Sequence, residues 1–414
     1  MLTTYFKHPF TLQKLRSGPA GLYLDDYASH LTQQGYSWDT ARRHLRAAGR
    51  FSAWAQTTGL SSQELGAQSL EQFKGALEGK GSLRYPSGLY HNTFAGTKPF
   101  VAFLQATGRV SPCATAIPPA LRTDFGHWMH NQRGVTVTTL DSYCRVIDDL
   151  LQKLGDHPED YTAHTVRAFT LERASRHGHR QAASTVTAIR MFIRFLIAHG
   201  RCQPTLLDAI PSIASWRQRS LPSYLRAEEI ERLLATCKAD TPRQSRDRAV
   251  LLLLARLGLR ARDITTLTLR DIEWDEGTFR VRGKNRRETR LPLPQEVGEA
   301  IWTYIQHHRP TVPTEQVFIT TIAPLIPINP RLVSTIVAQA IQRAGLERPV
   351  RGAHLLRHSA ATEMLRQGVS LESIGAVLRH RSMDTTMIYT KVDTDLLRQV
   401  IMPWVEDTSC SCKL

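Results

Sequence analysis

An internal repeat in the first half of the chain is the sequence feature that most restricts the fold. Residues 100–112 return as residues 192–204, with Phe-x-x-Phe-Leu, Gly-Arg and Pro at the same spacing. An Ala-Ile-Pro tripeptide follows each copy, and a Gly-x-(Ser/Thr)-x-x-Thr pattern precedes each copy, at Gly35 and at Gly134. Three matches in the same order indicate a duplication rather than chance. We therefore predict two tandem modules of four to five helices each.

Both copies have the apolar spacing of amphipathic helices. In the second copy, apolar side chains recur at steps of three and four residues, as burial of one helix face requires; they are Leu140, Tyr143, Val146, Ile147, Leu150 and Leu151. A further helix carries Phe192 and Phe195, with Ser184 or Thr185 as its predicted N-cap and Gly200 as its predicted end. We interpret these aromatic residues as core.

The polar side of the chain is strongly basic. Lys and Arg number 53 against 37 Asp and Glu, the net charge is +16, and the pI is near 9.9. A solvated surface would also explain basic helix faces, but two such faces favour contacts with nucleic-acid phosphates. A nucleic acid is the favoured partner, and the candidate contacts are Arg42, Arg43, Arg46, Arg176, Arg180, Arg190, Arg217, Arg219, Arg286 and Arg287.

Composition also argues against membrane, secreted and metal-binding proteins. The longest apolar run, residues 250–255, is far too short to cross a bilayer, and the N-terminus lacks the apolar region of a secretory signal. Six cysteines, mostly scattered, suit a reducing cytoplasm, so we predict a cytoplasmic, nucleoid-associated protein. Cys410 and Cys412 have no nearby pair of ligands at zinc-like spacing, and we predict neither a metal nor a cofactor.

The chemistry-bearing residues begin after a short apolar segment in the last third. Residues 251–257 predict a buried helix, and Gly258 is its predicted left-handed cap. Arg260 then lies on a fixed junction, where Asp263 could hold its guanidinium by charge-assisted hydrogen bonds. Residues 278–282 and 290–293 predict a β-hairpin with Lys284 at its turn. On these residues alone, Arg260 and Asp263 could instead form a simple surface ion pair. Lys284 could likewise contact only the backbone of a nucleic acid.

A second group follows towards the end of the chain. His354 and Arg357 are one helical turn apart, so they share a face; a satisfied histidine and a surface arginine are the alternative. A short helix over residues 370–378 precedes His380, and Tyr389 comes nine residues later. Arginine, lysine, histidine and tyrosine are the residue types that bind phosphate anions and transfer protons.

The order and spacing of these residues resemble the active site of the tyrosine recombinases, the phage-integrase family. The strings Gly-Leu-Arg260-Ala-Arg-Asp263, His354-Leu-Leu-Arg357-His-Ser and Leu-Arg-His380 carry the resemblance. The one departure is Asp263, where many members carry Glu. The resemblance implies a mainly α fold with a small β-hairpin or sheet in an α+β catalytic domain. Tandem helical, SAM-like DNA-binding modules would precede this domain.

The resemblance also implies a role for each residue. Tyr389 would attack the scissile phosphate to give a 3′-phosphotyrosyl bond, and Lys284 would protonate the 5′-hydroxyl leaving group. Arg260 and Arg357 would clamp the phosphorane with their planar forks, which stabilises the transition state more than the diester. His380 would donate a hydrogen bond to a non-bridging oxygen.

The implied organisation has three folded parts, a linker and a tail. The boundaries are 1–118 for an arm-type or core-binding-like module, 119–214 for a core-binding module, 215–222 for the linker, 223–405 for the catalytic domain and 406–414 for the tail. Beyond Tyr389, apolar residues between 392 and 401 predict a final helix. In the resembling family such a segment docks into a neighbouring protomer; packing on its own domain is the alternative.

The implied function is integration, excision or transposition of a mobile element. It would be carried out by a homotetramer on two DNA sites, with or without accessory proteins or other recombinases. Two alternatives stay open on the sequence. A type IB topoisomerase shares the chemistry but only relaxes DNA, and a DNA-binding protein with a silent catalytic fold would cut nothing. The duplicated N-terminal modules favour site recognition over relaxation.

Overall fold

A computed structural model describes residues 1–80, 87–110, 119–176, 178–213, 223–282, 288–347, 352–380 and 382–392. The chain divides into two compact units. The first contains residues 1–17, 21–49 and the chain from 218 onward, and the second contains residues 18–20 and 50–217. Both units are mainly helical, as the fold class predicted from the sequence requires.

The N-terminal half contains ten α-helices within the described ranges. They are α1 (Leu2–Tyr5), α2 (Pro9–Arg16), α3 (Leu24–Gln33), α4 (Trp38–Thr57), α5 (Ala67–Lys80), α6 (Ser87–Ala106), α7 (Ala120–Arg133), α8 (Val137–Leu154), α9 (Ala163–Ser175) and α10 (His179–Ala198). The helices α6 and α10 carry the repeated Phe-x-x-Phe-Leu segment. Both stop at a left-handed glycine, Gly108 with φ 65° and Gly200 with φ 67°. The next N–H returns to Leu104 O at 3.0 Å or to Leu196 O at 2.8 Å, so the two copies end in the same way.

The core of the second unit comes from the periodic apolar positions. On α8, Val146, Ile147, Leu150 and Leu151 are buried, which confirms the stripe predicted for this helix. Phe125 of α7 packs edge-on against Phe192 of α10, with ring centroids 5.3 Å apart. The predicted N-cap of α10 at residue 184 or 185 is wrong. The helix begins five residues or more upstream because Gly178 has the extended conformation of an N-cap, and no breaker lies between it and residue 184.

The first unit contains the segment that carries the candidate catalytic residues. Its C-terminal helices are α11 (Ala227–Ala235), α12 (Pro242–Leu257), α13 (Ala261–Thr266), α14 (Gln295–Thr303), α15 (Pro330–Arg343), α16 (Ala353–Arg366), α17 (Leu371–Val377) and α18 (Met383–Thr386). The apolar run of α12 is fully buried, with Leu251 to Leu254 at 0% exposure, which confirms the predicted buried helix. Truncating one such leucine to alanine typically costs about 2–5 kcal/mol of stability. The helix α12 is thus a rigid support for the residues that follow it.

Gly258 ends α12 in the left-handed conformation, with φ 59°, as the sequence predicts. A Cβ atom at this position would lie 2.6 Å from Cδ2 of Leu378 and 3.5 Å from Cβ of Ala360. Glycine therefore serves two needs here, because it accepts a positive φ and lets the end of α12 approach α16 and α17 closely. Both arginines of the candidate site depend on this junction.

A three-stranded antiparallel sheet completes the first unit. It consists of β1 (Ile272–Glu273), β2 (Thr278–Arg282) and β3 (Glu288–Pro292), in the order β1-β2-β3. The register places Phe279 opposite Leu291, and both are buried. The predicted hairpin is confirmed; its turn, with Lys284, lies outside the described residues. The final helix predicted beyond residue 392 also lies outside them.

Candidate active site

Arg260 is the last residue before α13. Its backbone N–H donates to Oδ2 of Asp263 at 2.9 Å, so the carboxylate caps the first turn of that helix. Its guanidinium donates from Nη2 to the carbonyl oxygen of Arg379 at 2.8 Å. The backbone and the head group of Arg260 are therefore both held, and the support expected from Asp263 acts on the Arg260 backbone.

Arg357 lies on α16 and is 4% exposed. Its Nη1 donates to the carbonyl of Gly258 and its Nη2 to the carbonyl of Leu378. These carbonyls belong to the C-terminal ends of α12 and α17, where backbone acceptors lack helical partners and carry partial negative charge. Burial, and then the positive charge of Arg260, lower the pKa of Arg357 to about 10. Arg357 therefore stays charged at neutral pH.

Tyr389 is buried, at 1% exposure, and its hydroxyl lies 3.0 Å from Nδ1 of His358. Burial raises the pKa of Tyr389, while the positive charges of Arg357 and Arg260 lower it. Burial, followed by the charges of His354 and Arg357, lowers the pKa of His358 to about 4. At neutral pH the imidazole is uncharged and the phenol is protonated, so in the tautomer with its proton on Nε2 the Nδ1 of His358 accepts the tyrosine O–H.

The aromatic rings of the site form a series. The ring of His380 lies 6.2 Å from that of Tyr389 with 14° between their planes, and the ring of His354 lies 6.3 Å from that of His358. Nδ1 of His380 is 2.8 Å from Oγ1 of Thr386, which orients the imidazole. Burial and the neighbouring arginines lower the pKa of His380 to about 4. A neutral His380 donates one hydrogen bond rather than adding a charge.

Asp263 and Arg379 form a buried ion pair beside Arg260. Nη2 of Arg379 contacts Oδ2 of Asp263, and these side chains are 10% and 6% exposed. Arg379 has a left-handed backbone, with φ 53°, directly after α17. The carboxylate therefore joins the start of α13 to the end of α17.

The structure brings together five of the six predicted catalytic residues: Arg260, His354, Arg357, His380 and Tyr389. His354 is exposed at the edge of the group, and the other four are buried or half-buried. Lys284 lies outside the described residues, as do Arg217, Arg219, Arg286 and Arg287. Arg180 belongs to α10, but its side chain is likewise outside the description.

Comparison with known proteins decides the family. Residues 223–395 match the phage integrase family. A Sinorhizobium fredii protein provisionally named integrase/recombinase y4rA is 32% identical over 406 residues, which are 95% of this chain and 97% of that protein. The chain belongs to the phage integrase family of tyrosine recombinases. The tyrosine recombinase XerC of Oceanobacillus iheyensis is 30% identical over 291 residues, 67% of this chain and 93% of XerC. The protein is thus a tyrosine-type site-specific DNA recombinase.

Solved structures share the fold of this recombinase. The XerH site-specific recombinase in a post-cleavage complex with its difH substrate has a TM-score of 0.55 and 18% identity, and the match covers 69% of this chain and 85% of XerH. A lambda integrase fragment bound to a core site has a TM-score of 0.52 and 20% identity, covering 65% and 93%. At such identities the likeness concerns the fold, and it confirms the mainly helical fold class with a small sheet.

Two contacts of the recombinase site were not predicted from the sequence. His358 directly follows Arg357 and stands one turn after His354, so helical spacing could have placed it on the face of His354. Its contact with Tyr389 spans 31 residues of sequence and left no local signal. Arg379 also gave no signal, because a left-handed arginine is rare and glycine is the usual residue in that conformation.

The predicted DNA-contacting arginines of the described helices have intramolecular partners. The guanidinium of Arg42 lies 4.4 Å from the ring centroid of Trp38, and that of Arg46 lies 5.8 Å from Phe6. Arg176 forms an ion pair with Glu172. The remaining contacts are those of Arg43 with Thr40 Oγ1 at 3.1 Å and of Arg190 with Ile210 O at 3.4 Å. Cation–π stacking holds a guanidinium without neutralising it, whereas a carboxylate neutralises it.

Two further features concern the part of the chain that the structure describes. None of its helices combines the length and the apolar character that crossing a bilayer requires. No group of three or more His, Cys, Asp or Glu side chains in these ranges is placed to hold a metal ion. Cys410 and Cys412 lie outside the described residues.

Proposed function

We propose that this recombinase cuts one DNA strand by attack of the Tyr389 hydroxyl on the scissile phosphate. The bond between the tyrosine oxygen and phosphorus forms as the bond to the 5′ oxygen breaks, which leaves a 3′-phosphotyrosyl enzyme and a free 5′-hydroxyl. One observation carries the proposal. The hydroxyl of Tyr389 lies 3.0 Å from Nδ1 of a neutral imidazole, His358, in a pocket where two arginine charges counteract the effect of burial on the pKa of the tyrosine.

Rejoining reverses the same step with another strand. The 5′-hydroxyl of the partner strand attacks the phosphotyrosine, a phosphodiester forms, and Tyr389 recovers its proton. Each P–O bond that breaks is replaced by another, so the exchange conserves the bond energy of the phosphodiester. The chemistry of Tyr389 therefore requires no nucleotide cofactor.

The other residues act on the phosphate and its leaving group. Arg260 and Arg357 donate to the non-bridging oxygens, where negative charge grows in the transition state. Backbone carbonyls hold both guanidinium groups in place before the substrate arrives. His354 and His380 add hydrogen-bond donors, and His380 does so in its neutral form. Lys284 protonates the 5′ oxygen as it leaves.

We assign His358 as the group that accepts the proton of the nucleophile, once the incoming phosphate anion has raised the low pKa of its imidazole. Its Nδ1 lies 3.0 Å from the Tyr389 hydroxyl, within hydrogen-bonding distance. A phenol with a raised pKa needs an acceptor in place before it can attack at neutral pH. Tyr389 is only 1% exposed, so residues around it must move before a DNA phosphate can reach the hydroxyl.

The wider assembly follows from the family. We propose that residues 1–118 form an arm-type or core-binding-like module, 119–214 the core-binding module and 223–405 the catalytic domain, with 215–222 as the linker. A lambda integrase tetramer bound to a Holliday junction is among the structural neighbours, with a TM-score of 0.51. That relative supports a homotetramer on two DNA sites for this recombinase. We further propose that the recombinase acts on a mobile element, in the cytoplasm at the nucleoid.

A suicide substrate tests the proposed function. Purified protein is incubated with a pool of nicked duplexes of randomised sequence, and covalent complexes are recovered under denaturing conditions and sequenced. We expect the wild type to trap DNA carrying a common site, and Tyr389→Phe to bind the same site without trapping it. Tyr224→Phe is the matched control, because Tyr224 contacts Arg366 outside the site. Adducts that persist in Tyr389→Phe would place the nucleophile elsewhere.

A further inference from the structure

Arg379 has a backbone conformation that suits glycine better than arginine. With φ 53° it lies in the left-handed region directly after α17. Its N–H donates to Ala376 O at 3.0 Å and that of His380 to Gly375 O at 2.9 Å, which closes the helix. A residue with a Cβ atom is disfavoured in this conformation, and glycine is the usual choice at a helix end. The presence of an arginine at this position therefore indicates a use for its side chain.

The side chain of Arg379 is directed into the candidate active site. Nη2 pairs with Asp263, the residue that also caps α13 under Arg260. The backbone carbonyl of Arg379 accepts a hydrogen bond from Nη2 of Arg260 at 2.8 Å. The positive charge of Arg379 is also close enough to contribute to lowering the pKa of Arg357. Three guanidinium groups thus meet at one place.

The guanidinium of Arg379 is only partly satisfied. Its Nε and Nη1 are buried and have no hydrogen-bond partner among the described residues. A guanidinium carries five donors, and buried charged donors without acceptors are costly. An ion pair with Asp263 alone would need neither the left-handed backbone nor these two nitrogen atoms. The unused donors indicate that an acceptor is missing.

The charge of the surrounding group identifies the kind of acceptor. Arg260, Arg357 and Arg379 carry three positive charges, and Asp263 balances one of them. Two positive charges therefore share a desolvated region, an arrangement that an anion stabilises strongly. A phosphodiester brings one negative charge, and its phosphorane transition state brings two. The excess charge matches the transition state.

We propose that Arg379 is a third phosphate-binding arginine of the recombinase, which donates from Nε and Nη1 to a non-bridging oxygen of the scissile phosphate while Nη2 stays on Asp263. The proposal rests on the function proposed above, since it concerns the phosphate that Tyr389 attacks. Arg379 would then act on the scissile phosphate together with Arg260 and Arg357, the two arginines of the family's active site.

The test compares the phosphodiester with its methylphosphonate analogues in single-turnover formation of the covalent complex. Each methylphosphonate isomer replaces one charged oxygen with a neutral methyl group. On the ordinary diester, we expect Arg379→Gly and Arg379→Lys to cleave about 10- to 100-fold more slowly than the wild type. On the isomer that lacks the oxygen bound by Arg379, the same variants should equal the wild type. On the other isomer the defect should persist.

Two variants keep the result interpretable. Arg379→Gly relieves the left-handed backbone, and Arg379→Lys keeps a positive partner for Asp263, so at least one retains the wild-type melting temperature. Arg366→Lys is the control, because Arg366 stacks on Tyr224 and lies outside the site. An equal defect on the diester and on both isomers, or no defect at all, would overturn the proposal. If the wild type forms no covalent complex, the proposed function fails first and this inference with it.

Discussion

Arg357 in the catalytic pocket donates to two backbone carbonyls, whereas Arg176 at the end of α9 pairs with the carboxylate of Glu172. The side chain of Arg357 is buried and that of Arg176 is 67% exposed. The neighbour Arg173 resembles Arg176, since it pairs with Asp149. The two regions therefore hold the same kind of side chain with different partners.

The partner of an arginine decides whether its positive charge remains available to bind a phosphate. A carbonyl orients a guanidinium but leaves its positive charge in place, so Arg357 is ready for an anion. A carboxylate cancels the charge, so Arg176 would have to release Glu172 before it could bind a DNA phosphate. Exposed ion pairs are worth about 0–1 kcal/mol, which makes such an exchange easy and sensitive to salt. We therefore expect the pocket to carry the chemistry and the helix surface to contribute DNA affinity that depends on salt.

We expect the largest effect from Arg357→Lys. A lysine cannot bond both carbonyls or fork onto two phosphate oxygens, so single-turnover cleavage should fall by about 100- to 1000-fold. The free energy of unfolding should fall by about 1–3 kcal/mol, because a buried carbonyl loses its donor. Urea unfolding measures the second effect, and Arg366→Lys is the matched control on the same helix. Near-normal cleavage would contradict the clamp.

A smaller effect is expected from His358→Asn. The Asn Oδ1 can take the place of Nδ1 as the acceptor for Tyr389, but it is not basic. We expect cleavage to fall by about 100-fold at neutral pH while site-specific DNA affinity stays unchanged. His157→Asn is the control, since that histidine is exposed on the second unit. Equal loss of affinity and cleavage would mean that His358 only supports the fold.

The stability of His358→Asn should also depend on pH differently from that of the wild type. The pKa of His358 is lowered to about 4 in the folded protein, against about 6.5 when unfolded, so unfolding takes up a proton between these values. Stability from the neutral His358 is complete above pH 6.5 and is lost as the pH falls towards 4. The urea midpoint of His358→Asn should therefore fall less than that of the wild type between pH 7 and pH 5. Identical decreases would show that His358 titrates normally.

The smallest effects belong to the helix surface. Arg176→Gln should weaken DNA binding less than tenfold and reduce the slope of log affinity against log salt by about one. Glu172→Gln should strengthen binding, because it releases both Arg176 and Lys153. Asp141→Asn is the control for charge, since Asp141 forms no ion pair within the described ranges. A salt slope that does not change in Arg176→Gln would remove this residue from the DNA interface.

Local sequence was a good guide wherever one element decides the outcome. The buried helix α12, its left-handed end at Gly258 and the pairing of β2 with β3 were all predicted from residue type and period. The start of α10 was not, because Ser184 and Thr185 are good caps but nothing upstream of them stops a helix. A capping residue can begin a helix, but it does so only where the residue before it does not already continue the helix.

The order and types of the catalytic residues, and hence the family and its chemistry, were determined by the sequence alone. Residue types at fixed spacings carry that information whatever the surroundings. Which atoms contact these residues depends on the tertiary structure. The carbonyls of Gly258 and Leu378 accept hydrogen bonds from Arg357, and Nδ1 of His358 lies within hydrogen-bonding distance of the Tyr389 hydroxyl. The physical reason is distance along the chain. Backbone carbonyls are present at every residue, so only the packing of α12, α16 and α17 selects the ones that remain free to bind.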